Sequence, residues 1–389
     1  MTYTSTILSQ LLNFLPKHKF QSFVGQHQAD KHVRRLDTWN QLVALLYAQA
    51  TGKDSLREIE TGLSLHQSTW YHLGVGSVAR STLSDANTRR NYKIFEKLFY
   101  ELLRRCRDIT PQRKFTFKNG LYSLDATIIG LCLSSFKWAR CSRVKGALKI
   151  HTLLNNRTAI PELLNITEGK VSDIAVAKRL SFNLEKGSII VFDRAYIDYG
   201  WWNRLDKEGL FFVSRTKTTL RIDIVGQHNT EVNGYVLADD IVMCGEYQGM
   251  KKYEGKTMRR IKILDKEKGQ IFEYLTNNFE LTAEEIALIY KERWQIELFF
   301  KWIKQNLKIK TFLGTSKNAV LTQIWIAMIY YLLLAYIKFQ TKFRKSLLEL
   351  TRMVREVLLN RINLIDLLSL STRTLHKLKA REGPQLALF

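Results

Sequence analysis

Four consecutive apolar residues, Ile189, Ile190, Val191 and Phe192, run directly into Asp193. A run this short and wholly apolar is expected for a strand buried on both faces, at the centre of a sheet. Its surroundings alternate. Leu121 to Leu124 lead into Asp125, and residues 128–133 and 147–154 are two further β-rich runs. Residues 171–184 read as a helix, 201–205 as another and 210–214 as a strand. The order predicts an α/β layer: a mixed sheet with helices on its faces. Residues 217–269 break the alternation with short runs at 220–225, 235–244 and 258–264. Turns are expected at Asn233-Gly234 and Lys268-Gly269, so this segment reads as a small β-rich insertion. Residues 272–275 return to the core, and Thr282 caps the helix that follows.

The flanks are helical. In residues 1–110, Thr38 is placed to cap a helix through Leu42, Leu45 and Leu46 that Gly52 stops. Ser55 caps a second helix, ended by Gly62. Phe95, Leu98, Phe99 and Leu102 mark a third at three- and four-residue spacing, closing on Arg104, Arg105 and Arg107. The segment SVARSTLSDANTRR between them is a weak helix-turn-helix signal. Lys31, His32, Arg34 and Arg35 form a basic patch before the Thr38 helix, equally open to phosphate contact or to plain solvation. Beyond residue 338 the chain reads as helical and basic, with Arg344, Lys345, Arg352, Arg355, Arg361, Lys377, Lys379 and Arg381. The expected domains are therefore 1–110 (helical), 111–337 (α/β, interrupted by the insertion) and 338–389 (basic, helical).

Of 389 residues, 60 are Lys or Arg and 36 Asp or Glu, giving a net charge of +24. Such an excess self-repels in a compact state and fits a polyanionic partner, nucleic acid above all. Cys106, Cys132, Cys141 and Cys244 form no CxxC pair, which argues against zinc fingers and ribbons. Free thiols without a signal peptide point to a reducing cytoplasm. Residues 319–337 approach membrane-spanning length, but Thr322 and Gln323 interrupt them; a buried core helix is the expectation.

Asp125 and Asp193 each follow an apolar, strand-like run, and ligands of open α/β sheets gather beyond strand ends. A third carboxylate stands in the stretch YKERWQIELFFKWIK. At about 100° per residue, Tyr290, Arg293, Glu297 and Lys304 share one side of a helix, opposite Ile296, Leu298, Phe299, Phe300, Trp302 and Ile303. Three carboxylates with cationic neighbours suit two Mg²⁺ or Mn²⁺ ions, hard cations that prefer oxygen, bound next to a phosphate. Taken singly, each residue also has a plain structural reading. Asp125 could end a turn, Asp193 could pair with Arg194, and Arg293–Glu297 could be an ordinary i,i+4 ion pair.

Together, YSLDAT at Asp125, VFDRAY at Asp193 and the Tyr-Arg-Glu-Lys helix resemble the DDE triad of bacterial insertion-sequence transposases, the insertion sequence family four type. KGALKIHTLLN at residues 145–155 and the 161–173 region are similar to that family's core, and the segment 23–62 to the N-terminal domain of one branch. The resemblance implies a ribonuclease H-like fold with a β insertion between the second Asp and the Glu, which here lie 104 positions apart. It implies metal ligation by Asp125, Asp193 and Glu297, and DNA phosphate contacts by Tyr290, Arg293 and Lys304. Tyr196 is a further contact or a packing residue. It also implies cut-and-paste transposition on double-stranded DNA by a DNA-bound homodimer, in the bacterial cytoplasm near the nucleoid. Some members pass through a DNA hairpin and hold a flipped base on an aromatic of the insertion. No Trp lies between Trp202 and Trp294, so Tyr235, Tyr247 or Tyr253 would take that role. Two other classes stay open from the residues: a nuclease of the same fold without strand transfer, and a non-catalytic DNA-binding protein.

Overall fold

The computed structural model describes residues 5–142, 145–217, 220–229, 234–245, 256–265 and 269–369. The chain packs as two units, Pro111–Gln305, and Met1–Thr110 with Asn306–Phe389.

The helical unit begins with α1 (Ile7–Leu12), α2 (Lys17–Gln26), α3 (Thr38–Thr51), α4 (Leu56–Ser64), α5 (Trp70–Leu73), α6 (Arg80–Arg89) and α7 (Lys93–Ile109). Asp37, not Thr38, caps α3, accepting from the Asn40 N–H; Thr38 instead donates to Asp30. Gly52 ends α3 in the left-handed region (φ 75°), as its lack of a side chain allows. Ser55 caps α4 as expected, but Gly62 lies inside that helix, where an added Cβ would strike Tyr47. The SVARSTLSDANTRR segment is largely α6 itself, so it is not the turn of a helix-turn-helix.

Among the described residues the sheet unit holds nine strands: β1 (Leu121–Leu131), β2 (Gly146–Asn155), β3 (Ile160–Glu168), β4 (Ile189–Phe192), β5 (Phe211–Arg215), β6 (Ile222–Gln227), β7 (Val236–Cys244), β8 (Met258–Asp265) and β9 (Gln270–Thr276). They form one mixed sheet in the order β3-β2-β1-β4-β5-β9-β8-β7-β6. Among the described strands only β1–β4 and β4–β5 are parallel. The insertion strands thus extend the same sheet instead of standing apart. The runs before and after Asp125 merge into one strand, and β3 completes the trio of strands that precedes β4. Between β3 and β4 only α8 (Asp173–Ala177) is helical, shorter than the 171–184 expected, and α9 (Tyr199–Lys207) follows β4.

Period-two alternation divides β4 between the faces. Ile190 and Phe192 pack with Trp201, Trp202 and Leu205 of α9. Ile189 and Val191 pack with Ile286 and Ile289 of α10 (Ala283–Glu292). Arg259 of β8, fully buried, makes a two-pronged ion pair with Asp239 of β7 and donates to the Leu281 carbonyl just before α10. Helix α11 (Trp294–Asn306) follows after a single-residue break.

The described residues end with α12 (Lys317–Gln340), α13 (Leu347–Val357) and α14 (Leu364–Ser369). The expectation carries the catalytic domain to residue 337; in space, residues from 306 onward group with the N-terminal helices. The reason is α12, apolar all round, which α3, α6, α7 and α13 surround. Among the described residues it is the one helix long and apolar enough to cross a membrane, and it lies buried within its unit. Gln323, the polar interruption, donates to the Lys308 and Thr311 carbonyls and accepts from Leu313. Lys377, Lys379 and Arg381 lie outside the described residues.

Candidate active site

Strands β1 and β4 pair in parallel from Leu121↔Ile189 to Leu124↔Phe192. The next rung is Asp125 beside Asp193. By alternation both share the face of Leu121, Ile189 and Val191, the face that α10 covers. The sheet's register alone therefore sets two carboxylates side by side where the parallel pairing stops. Asp125 accepts from the Ala126 N–H at 2.7 Å and Asp193 from the Ala195 N–H at 2.8 Å. The second bond makes Asp193 the cap of a short 3-10 turn, Arg194–Tyr196. Asp125 lies within a strand and ends no turn.

Glu297 arrives from α11. The Tyr-Arg-Glu-Lys stretch is expected as one helix; the structure breaks it at Arg293. Arg293 N–H bonds to the Tyr290 carbonyl, and Ile296 N–H to the Arg293 carbonyl, each three residues back. The tighter turn turns Arg293 toward the carboxylates. Its guanidinium lies 2.7 Å from Glu297 Oε1 and 3.6 Å from Asp125 Oδ2. The ordinary i,i+4 pair is thus present, and it reaches beyond the helix to β1. The break also frees the Glu292 carbonyl, which accepts from Asn156 Nδ2 at 2.7 Å. Asn156 Oδ1 in turn accepts from the Ser123 hydroxyl at 2.9 Å. This buried chain ties the break to β1 two residues before Asp125. Sequence reasoning missed it; an Asn closing a strand is its only trace there.

Burial and charge together set the titration. Burial pushes Asp125 up to about 6; Asp193 and Glu297 add repulsion, against the Ala126 N–H and Arg293, which favour the carboxylate. Burial opposes the Arg293 charge, yet Tyr290, Glu297 and Asp125 hold its pKa above the ordinary arginine value. Tyr290 packs its ring 5.0 Å from that of Tyr274, with the Arg293 guanidinium 5.7 Å above it. An open groove of about 740 Å³ runs beside them, lined by Arg215, Tyr235, Phe272, Tyr274 and Trp294. Arg215 stacks on Phe272 at 4.7 Å. Tyr235 is half-buried on this groove; Tyr247 and Tyr253 lie outside the described residues. Tyr196 is buried among Phe192 and Trp201, a packing residue. Lys304 sits two turns past Glu297, about 10 Å along the axis. Ile296, Phe299, Phe300 and Ile303 are buried as the pattern requires, but Leu298 is exposed and Trp294 is 57% exposed.

As arranged, no three His, Cys, Asp or Glu among the described residues are close enough to hold a metal ion. The donor set still fits one. Asp125, Asp193 and Glu297 offer hard oxygen donors whose mutual repulsion a cation would relieve, and among the described residues Glu297 is engaged by Arg293.

The transposase DDE domain model matches residues 117–333, more than half of the chain. A domain of unknown function, DUF4372, matches residues 3–76. A Sinorhizobium fredii protein described as transposase y4zB is 32% identical over 289 residues, which cover 73% of this chain and 79% of that protein. A transposase described for insertion sequence element IS5377 of Geobacillus stearothermophilus is 28% identical, over 67% of this chain and 68% of its own. One described for insertion sequence element IS4SA of Synechocystis is 25% identical, over 73% and 79%. These matches define the class, an enzyme acting on DNA with divalent metal. The chain belongs to the DDE transposase domain family and is a DNA transposase.

Proposed function

We propose that Asp125, Asp193 and Glu297 form the metal-binding triad of a cut-and-paste transposase of the insertion sequence family four type, on a ribonuclease H-like sheet. The observation that carries this reading is the rung beyond the β1–β4 pairing, with Arg293 bridging from Asp125 to Glu297. The strand order β3-β2-β1-β4-β5, antiparallel for three strands and then parallel, supports the ribonuclease H-like assignment. Two Mg²⁺ or Mn²⁺ ions would activate the attacking hydroxyl and stabilise the leaving oxygen at phosphorus.

The chain's own groups divide the remaining work. Asp125 and Asp193 are fixed by strand register, so they set the frame. Glu297 has a longer side chain and would hold the metal together with the two Asp residues. Arg293 would then be free to grip a non-bridging phosphate oxygen beside the cut, with Tyr290 orienting that guanidinium and its hydroxyl facing the DNA backbone. Lys304 meets a phosphate further along the strand as a point charge. The groove next to Arg293 receives the DNA that flanks the cut. Cutting both element ends calls for two active sites, hence a homodimer on double-stranded DNA. Residues 1–110 are read as DNA-binding, the C-terminal region as basic support, and the protein as cytoplasmic without a membrane segment.

A DNA fragment carrying the gene's own flanks, incubated with Mg²⁺ and mapped at its strand ends, tests this. Cuts at the borders with wild-type protein and none with Glu297→Gln are expected. The end structure shows directly whether a hairpin forms. Border binding with no cutting by wild-type protein, in Mg²⁺ or Mn²⁺, would overturn the triad.

A further inference from the structure

In the helical unit, the loop between α2 and α3 turns around a buried side chain. Arg90, 8% exposed, sends its guanidinium into residues 29–37 from behind. It donates to the Asp37 carbonyl at 3.0 Å, to the Leu36 carbonyl, and to the Ala29 carbonyl at 3.4 Å. The two ends of the loop are thus held by one cation. The loop's carboxylates are used internally. Asp30 accepts from the Thr38 N–H and hydroxyl at 2.8 and 2.7 Å, and Asp37 caps α3.

What remains outward is positive. Lys31, His32, Val33, Arg34 and Arg35 are all exposed in succession. Beside them opens a cleft of about 440 Å³ lined by Lys17, Gln21, Asp30, Trp39, Tyr71 and His72. Tyr71 on its rim is 90% exposed, and Lys17 sits 5.2 Å above the Trp39 ring. A loop held from within, its acids neutralised and its cations and an aromatic turned out, has the chemistry of a polyanion contact.

We propose that the Arg90-clamped loop is a phosphate-contacting element for duplex DNA, with Lys31, Arg34 and Arg35 as the contacts and Tyr71 at the edge of the same surface. The inference rests on DNA as this enzyme's partner, but not on the triad. Backbone phosphates are the same in every duplex, so the contribution is independent of base sequence. The clamp keeps the loop from losing its order on each encounter, which lowers the entropic cost of binding.

The test is a salt series of binding by the full-length chain without divalent metal. The probes are a duplex from the gene's flank and a scrambled duplex of the same length. Replacing Lys31, Arg34 and Arg35 together with Gln is expected to weaken both duplexes by the same factor. The slope of log affinity against log salt should fall by about three, near one per phosphate contact. An unchanged slope overturns the proposal. So does a loss confined to the flank duplex, which would mean base reading. A second measurement needs no variant: hydrogen exchange in residues 30–37 of the unaltered chain should slow when either duplex is added, and no slowing overturns the proposal. Because metal is absent, failure here leaves the cutting reading intact, and failure of cutting leaves this one intact.

Discussion

Two arginines, Arg90 buried and Arg293 half-buried, organise two regions of this molecule in opposite senses. Arg90 in the helical unit binds backbone carbonyls above all, with the Asp30 carboxylate 3.6 Å away, so that other cations face water. Arg293 in the sheet unit binds carboxylates, so that like charges can be kept together out of water. The first arrangement has no reason to change during function. The second is provisional on the proposed reading, in which the carboxylates that Arg293 neutralises are those that would hold the metal. Burial alone therefore does not reveal a functional arginine. What matters is whether its partners have other work to do.

The largest effects should come from the acids around Arg293. Asp125→Asn, Asp193→Asn or Glu297→Gln should each lower border cleavage more than about 1,000-fold, since metal-held charge supplies several kcal/mol of transition-state stabilisation. Duplex binding in metal-free buffer should persist. Loss of binding in all three variants would place these acids in the fold rather than the chemistry.

Arg90→Met comes next, and it should act on stability. Several buried carbonyls lose their donor at once, so denaturant unfolding should show a loss of about 3 kcal/mol. A loss well under 1 kcal/mol would mean that the clamp is ornamental. Arg293→Met should cost the fold less, because Glu297 and Asp125 can both turn to water or metal.

The pH dependence of Asp125 tests its burial, to which crowding by Asp193 and Glu297 adds. Its folded pKa, near 6, lies above the ordinary value of 3.8. Its contribution to stability is thus complete below about pH 4 and is lost as pH rises through 6. In metal-free protein Asp125→Asn should be more stable than wild type above that range, by up to about 3 kcal/mol for a shift of about two units. The advantage should vanish at pH 4 and shrink when Mg²⁺ is added. Equal stability of the two proteins at every pH would remove the crowding argument.

The smallest effect expected is on DNA affinity. With Mg²⁺ present to take its carboxylate partners, Arg293→Ala should lower the salt slope by about one, against about three for the loop variant. Equal slopes for the two variants would erase the contrast between a site that makes one phosphate contact and a loop that makes several.

Much of this was legible in the chain itself. The four apolar residues before Asp193 required a central strand, and β4 is buried on both faces. The caps at Ser55 and Thr282, the stop at Gly52 and the buried side of α11 follow from local chemistry that acts over three or four residues. The three acids and Arg293 stood out by residue type and context. The excess of positive charge pointed to DNA, the partner of the family to which the chain belongs.

Other features depend on residues far apart in the sequence, and only the tertiary structure decided them. Nothing local merges the runs on either side of Asp125 into β1, adds the insertion strands to the same sheet, or sends α12 to the N-terminal helices. The break at Arg293 is invisible in a pattern that fits one continuous helix. It is tied to the Asn156 bridge from Ser123 to the Glu292 carbonyl. Arg90 looked like one of many cations, because its carbonyl partners lie more than fifty residues back along the chain. Sequence determined the residues that carry charge and the elements they ride on, since those follow from short-range sterics and periodicity. Which charges meet, and which are left facing water, was decided by strand register and by hydrogen bonds closed across the fold.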